Sequence, residues 1–228
     1  MGIFGKNKTV APAPAPPAPA APATEAPKVD LGKKTGRISL EKGQRVSIEK
    51  TQEILATVSW KSGTDYDVYA LVLFKDGHVE TVSTFGTKDD PEGFTLSVAN
   101  GAVRHQGDIT RPTGSFAVEV LEIRLTPEIA AVVPVAYSAQ SNGSGSFHRY
   151  KVSLAIDNGA GTRVEIEAKN ANRDDGIYTC VPGIIRNTPD GVVIDALELY
   201  SRRGSEHRPG LRADGVVVMD AGPVNVYK

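Results

Sequence analysis

The chain has few of the residues from which reactive or cross-linked sites are built. It holds one cysteine and four histidines in 228 residues. A lone Cys180 cannot close an internal disulfide, and by itself it cannot build a thiolate zinc site. It lies in the apolar run Ile177-Tyr178-Thr179-Cys180-Val181, which predicts a buried small hydrophobe rather than a nucleophile. The histidines, His78, His105, His148 and His207, are far apart and each adjoins polar turn residues. They are expected at the surface. A surplus of positive charge is also missing. Twenty-six Lys and Arg against 27 Asp and Glu leave −1, which argues against a dedicated nucleic-acid binder. No apolar run approaches the roughly 18 residues that span a bilayer. The Gly-x-x-x-x-Gly-Lys phosphate loop, the Gly-x-Ser-x-Gly elbow and the His-Glu-x-x-His zinc helix are all absent.

Proline is plentiful, but unevenly so. Seven of the 15 prolines fall between Ala11 and Pro27, where 15 of 17 residues are Ala or Pro. Proline fixes φ and removes donors, so this stretch is expected to be an extended spacer of about 3.1 Å per residue. Ahead of it, Ile3 and Phe4 stand beside Lys6 and Lys8, a pattern suited to docking on a partner or on an anionic membrane surface. Residues 1–36 carry five basic and two acidic residues, +3, leaving −4 for the remainder. The expected organisation is a disordered basic tether over 1–36 and a folded acidic domain over 37–228.

The folded part alternates short β-type runs with turn chemistry. Arg45–Ile48, Ile54–Trp60 and Val68–Phe74 read as strands, and Lys75-Asp76-Gly77-His78 turns the last of these into Val79–Val82. A second hairpin is expected at Val152–Ile156, turning through Asp157-Asn158-Gly159 into Val164–Glu167. Further strands are expected at Ala117–Leu125, Val132–Tyr137, Gly176–Val181, Val192–Leu199 and Val216–Met219, with a short helical turn at Pro127-Glu128-Ile129. Many short strands without sustained 3.6-residue periodicity imply an all-β fold, an antiparallel β-sandwich with at most short helices. The run 68–74 is apolar on both faces and is expected to be a central strand covered on both sides.

Asp65-Tyr66-Asp67 opens that strand. Strand side chains repeat every two residues, so both carboxylates are expected on one face at an end of the sandwich. Two like charges there are either solvated or bridged by a hard cation such as Ca²⁺, which takes six to eight oxygens. The loop Gly107-Asp108-Ile109-Thr110 is a candidate for further oxygens, as is the acidic loop with Asp89, Asp90 and Glu92. In the C-terminal part, Arg186, Arg202, Arg203, Arg208 and Arg212 alternate with Asp190, Asp195, Glu198, Glu206 and Asp214. The expectation there is a solvated mixed-charge surface rather than an anion site.

Several segments resemble the tellurite-resistance TerD-type stress proteins. They are Leu40–Ile48, Ile54–Trp60, Asp65–Leu73 with Gly77-His78-Val79, Gly101-Ala102-Val103-Arg104-His105-Gln106-Gly107-Asp108, and Leu125–Ile129 with Val132–Tyr137. Their order and spacing hold over about 37–200. The resemblance implies a bacterial cytoplasmic β-sandwich that binds calcium in acidic loops and serves stress and tellurite resistance without a firmly attached enzymatic activity. Asp65, Asp67 and Asp108 fall on the family's acidic positions. Its following Asp-Asp-Glu cluster has no counterpart in Thr110-Arg111-Pro112-Thr113-Gly114, and each lost carboxylate weakens a calcium site.

The functional expectation is a non-enzymatic binding or scaffold protein. It would be displayed on the tether, with protein partners and a peripheral membrane contact through residues 1–8. The alternative is a metal-assisted phosphoester hydrolase using Asp65, Asp67 and Asp108 with Arg111 as an electrophilic clamp. A third reading is a structural component that assembles through exposed strand edges.

Overall fold

The computed structural model describes residues 27, 29–107, 115–138, 146–169 and 175–226. The expected Pro/Ala spacer, the segment before it, Asp108 and Arg111 lie outside the described residues. The strands, in chain order, are β1 (Val29–Lys33), β2 (Arg37–Leu40), β3 (Gln44–Ile48), β4 (Ile54–Lys61), β5 (Asp67–Phe74), β6 (Val79–Val82), β7 (Ser97–Val98) and β8 (Val103–His105). They continue with β9 (Phe116–Ile123), β10 (Ile129–Tyr137), β11 (Ser153–Asp157), β12 (Arg163–Glu167), β13 (Thr179–Thr188), β14 (Gly191–Tyr200), β15 (Gly210–Leu211) and β16 (Val217–Val218). Two seven-stranded sheets result, ordered β1-β3-β14-β13-β10-β5-β6 and β2-β12-β11-β4-β9-β8-β7. There is no helix among the described residues, and hence none long and apolar enough to cross a membrane.

The all-β sandwich is as expected, and the alternation that builds it is plain in β4. Ile54, Ala56, Val58 and Trp60 are buried while Leu55 and Lys61 face out. Both expected hairpins form. In the first, Gly77 takes φ +93° and its N–H donates to Phe74 O, closing the turn between β5 and β6. The sheets are mixed rather than purely antiparallel, because β1 runs parallel to β3 and β2 runs parallel to β12. β1 lies inside the segment expected to be tether, so the folded unit begins before residue 37. Its residues are mostly exposed and its place comes from backbone pairing, which leaves little apolar signal to read. The expected helical turn at 127–129 is a simple turn that delivers Ile129 directly into β10.

β5 is buried along its whole length, as its composition predicts, yet it is not central: only β6 lies beyond it. Its second face is covered by the C-terminal part of the chain. Val68, Ala70, Val72 and Phe74 enter the core between the sheets. Tyr69, Leu71 and Leu73 enter a separate cluster with Phe85, Val133, Val135, Val217 and Met219 on the outer side. The cap over that face is the loop after β6 together with residues 201–226. The two are tied by a bridge between Thr87 and Asn225, and the C-terminal segment is itself closed by one between His207 and Val224. Arg186 helps hold it: its Nε donates to Asp195 Oδ2 at 2.9 Å and its guanidinium reaches Gly215 O. Asp195 is 1% exposed and also receives Arg45 from the neighbouring strand β3. Arg186 and Asp195 are thus a part-buried pair, whereas Arg202, Arg203 and Arg212 are exposed, as expected. The expected solvated mixed-charge surface is corrected at Arg186, whose partner Asp195 is buried, and at Arg208, which is itself buried and bonded to carbonyls and Asn225.

Candidate functional site

The expectation that Asp65 and Asp67 share one strand face is not met. β5 begins at Asp67. Asp65 precedes the strand and is exposed, whereas Asp67 is 2% exposed. Strand periodicity therefore does not govern the pair. Asp67 has the parity of Tyr69, on the capped side, and lies opposite Tyr137 in the β5–β10 ladder.

The expectation of four surface histidines fails at one position. His78, His148 and His207 are exposed, but His105 is 2% exposed, at the end of β8. Its Nδ1 accepts the Gly107 N–H at 3.0 Å. That fixes the proton on Nε2, which donates to Glu119 Oε2 at 3.2 Å. Sequence inspection passed over Glu119. The available signal was its inward parity in β9, where Ala117 and Leu121 are buried on the same side. Glu119 Oε2 also accepts the Val68 N–H at 2.8 Å, from the first turn of β5's path into the core.

The segment His105–Gly107 and the strand-opening Asp67-Val68 thus meet at one end of the sandwich, with Glu119 between them. Burial pushes the Glu119 carboxyl above its ordinary range, the bonds from His105 and Val68 pull it back, and the nearby Asp67 charge adds to the rise. On the other side of β5, Tyr137 Oη donates to Glu206 Oε2 in the cap. Burial first, then Glu206 and Asp67, hold that phenol well above the usual tyrosine range. His105, Glu119 and the Val68 N–H thus form one buried polar cluster and Tyr137 with Glu206 a second on the other side of β5, with the Asp67 charge near both.

Among the described residues, no three His, Cys, Asp or Glu side chains converge so as to hold a metal ion. Asp67 and Glu119 have the hard-oxygen chemistry calcium takes, but Glu119 Oε2 is already engaged by two donors. Asp65 stands apart in exposure and Asp108 lies outside the described residues, so the described acids do not by themselves fit a calcium site. Cys180 is fully buried, as expected, and burial pushes its thiol well above the ordinary value.

No protein-family model and no curated protein matches the chain. One solved structure that it resembles, described as "Crystal structure of unknown function protein SAV2460", is 13% identical. The match covers 77% of this chain and 94% of that one at a TM-score of 0.46.

Proposed function

We propose that the chain is a non-enzymatic, TerD-like binding or scaffold protein of bacterial stress and tellurite resistance. Its active end is the strand-end polar cluster around Glu119, and its basic N-terminal segment tethers it to a partner or membrane surface. The observation that carries the reading is the meeting of two motifs from distant parts of the sequence. The Asp65–Val68 opening and the His105-x-Gly107 segment, both on the family-like pattern, are joined through Glu119 by hydrogen bonds at 2.8 and 3.2 Å.

Calcium is the ligand the resemblance names, through Asp65, Asp67 and Asp108, and the separation of Asp65 from Asp67 makes it the first clause to test. Isothermal titration of the full chain with Ca²⁺ is expected to give a saturable signal with Kd of about 0.1–1 mM, as for sites poor in charged ligands. Asp67→Asn is expected to abolish it. Absence of heat and of a thermal shift at millimolar Ca²⁺ removes calcium from the proposal. The tether clause predicts that deleting residues 1–26 leaves the melting temperature within about 2 °C while changing membrane or pull-down fractions, because a spacer rich in Pro and Ala is expected to add little to stability. A chain whose partners and location survive the deletion does not use the segment as a tether.

A further inference from the structure

A second polar site adjoins the strand opening, on the turn that precedes β11, and shares Tyr66 with it. Residues 147–150 form a single hydrogen-bonded turn in which Tyr150 N–H donates to Ser146 O and Val152 N–H donates to Phe147 O. Lys151 ends the turn at φ +51°, a left-handed conformation uncommon for a residue with a side chain. The turn is fixed from below. Phe147 is fully buried, with its ring 5.2 Å from that of Tyr66, and Tyr66 in turn packs on Trp60 and Tyr150. Lys61 N–H donates to Tyr150 O and joins the turn to the end of β4.

Above this floor is an open depression of about 480 Å³ lined by Ser146, His148, Arg149, Lys151 and Asp175. That volume suits a small ligand. Three cationic or cationisable side chains within four residues make its wall a concentrated positive patch. Arg149 is steadied over the Tyr150 ring at 5.5 Å. The independent sign of a ligand is Ser146. It is 1% exposed, and its Oγ has no hydrogen-bond partner among the described residues although it lines the depression. A buried hydroxyl is ordinarily satisfied, and leaving one without a partner is costly unless something else supplies it.

We propose that this depression binds the phosphoryl group of a small hydroxylated phosphomonoester. A tetrahedral dianion presents enough oxygens to take the Arg149 fork, the Lys151 ammonium and His148 together, and one oxygen can accept the Ser146 hydroxyl. Asp175, on the same rim, accepts hydroxyl donors from the body of the ligand. Its charge disfavours a second phosphate, so the site selects a monoester over a polyphosphate or a nucleic-acid backbone.

Titration calorimetry of the full chain in EDTA, which keeps calcium out, with ribose 5-phosphate, inorganic phosphate and ribose tests the proposal. Ribose 5-phosphate is expected to bind with Kd of about 1 mM or tighter, inorganic phosphate roughly tenfold more weakly, and ribose not at all. Arg149→Gln/Lys151→Gln changes only exposed side chains. It is expected to weaken both phosphates by about tenfold or more at an unchanged melting temperature. Ser146→Ala is expected to weaken both by roughly threefold or more, and Asp175→Asn to erase the preference for the sugar phosphate. The proposal is overturned if neither phosphate gives saturable heat. It is equally overturned if the double variant binds as the parent does, or if inorganic phosphate binds as tightly as ribose 5-phosphate.

Discussion

Replacing Arg208 by Ala is expected to loosen residues 201–226 from the outer face of the β5 sheet and to lower stability by about 3–5 kcal/mol. Arg208 is 5% exposed. Its guanidinium lies between two rings, 4.9 Å from the centroid of Tyr69 and 5.0 Å from that of Phe85. It donates to Phe85 O and Gly86 O at 3.0 Å each and to Asn225 Oδ1 at 2.6 Å. One side chain thus clamps β5, the loop after β6 and the last residues of the cap. Burial holds its pKa below the ordinary arginine value, and the neighbouring tyrosines Tyr69 and Tyr137 oppose that fall. The side chain nevertheless stays charged, since guanidinium begins so far above neutrality.

Truncation to Ala removes the stacked cation, leaves three acceptors short of a donor and opens a void beside two aromatic rings. Each of these is independently destabilising. For a domain of this size the expected loss corresponds to a fall of roughly 6–20 °C in melting temperature. The apolar outer cluster should then become accessible, so the variant should bind a hydrophobic dye and be cleaved by protease within 201–226. Arg208→Lys should recover only part of the loss, because an ammonium cannot serve three acceptors while lying flat between two rings. A melting temperature within about 2 °C of the parent, with no new cleavage, would show that the cap is held by its apolar contacts alone.

The same clamp shows what was legible in the sequence and what was not. β5 advertised burial on both faces through its unbroken run Val68–Phe74, but a run of that kind cannot say what covers each face. Here one cover is the opposing sheet and the other is an irregular segment with only two short strands, β15 and β16. Nothing in residues 201–226 alternates strongly enough to announce a layer. Arg208 looked like surface charge, as Arg202, Arg203 and Arg212 are, because bonding to Phe85 and Gly86 across more than a hundred positions has no local signature. The hairpins were legible because Asp-Gly and Asn-Gly turns are chemically specific over four residues. β1 and β2 were not, since parallel edge strands are placed by main-chain bonds that any sequence can make.

At the candidate site, the acidic dipeptide pattern pointed to the correct end of β5 but misjudged Asp65, because periodicity holds only once the strand has begun. His105 was misplaced for a related reason. Its polar neighbours Arg104 and Gln106 point outward to Glu122, while His105 between them points in. In a strand, adjacent polarity says little about the residue between. The buried neighbour that makes an inward histidine tolerable, Glu119, comes from the next strand and could be found only through the fold.

Glu119 itself carries the second large effect, and three substitutions separate its contributions. Glu119→Ala leaves the Val68 N–H and the His105 Nε2–H without their shared acceptor in a site 1% exposed, a loss of about 2–4 kcal/mol. Glu119→Gln keeps an acceptor oxygen for both donors and removes the buried charge, so it should cost far less. Glu119→Leu should behave as Ala does, which would show that the deficit is polar rather than volumetric. The comparison with Gln has a pH signature whose sign follows from the raised carboxyl pKa. A carboxyl that is harder to ionise folded than unfolded binds its proton more tightly in the native state. Its contribution to stability is therefore greatest at low pH and declines as pH rises from the unfolded value, about 4.3, through the folded one.

Glu119→Gln cannot ionise. Its stability relative to the parent is thus expected to improve across that window and then level off toward neutrality, whereas the deficit of Glu119→Ala persists throughout. Chemical denaturation of the parent and the three variants at intervals from pH 4 to 7.5 reads these differences directly. If Glu119→Gln were as damaging as Glu119→Ala at every pH, the ionised carboxylate would be indispensable to His105 and the Val68 N–H despite its burial, and the assignment of desolvation as the dominant influence would fail. The more informative result is the expected one. A carboxylate that is mildly unfavourable to the fold at neutral pH, yet held in place by a histidine whose tautomer Gly107 fixes, serves the strand end rather than the core.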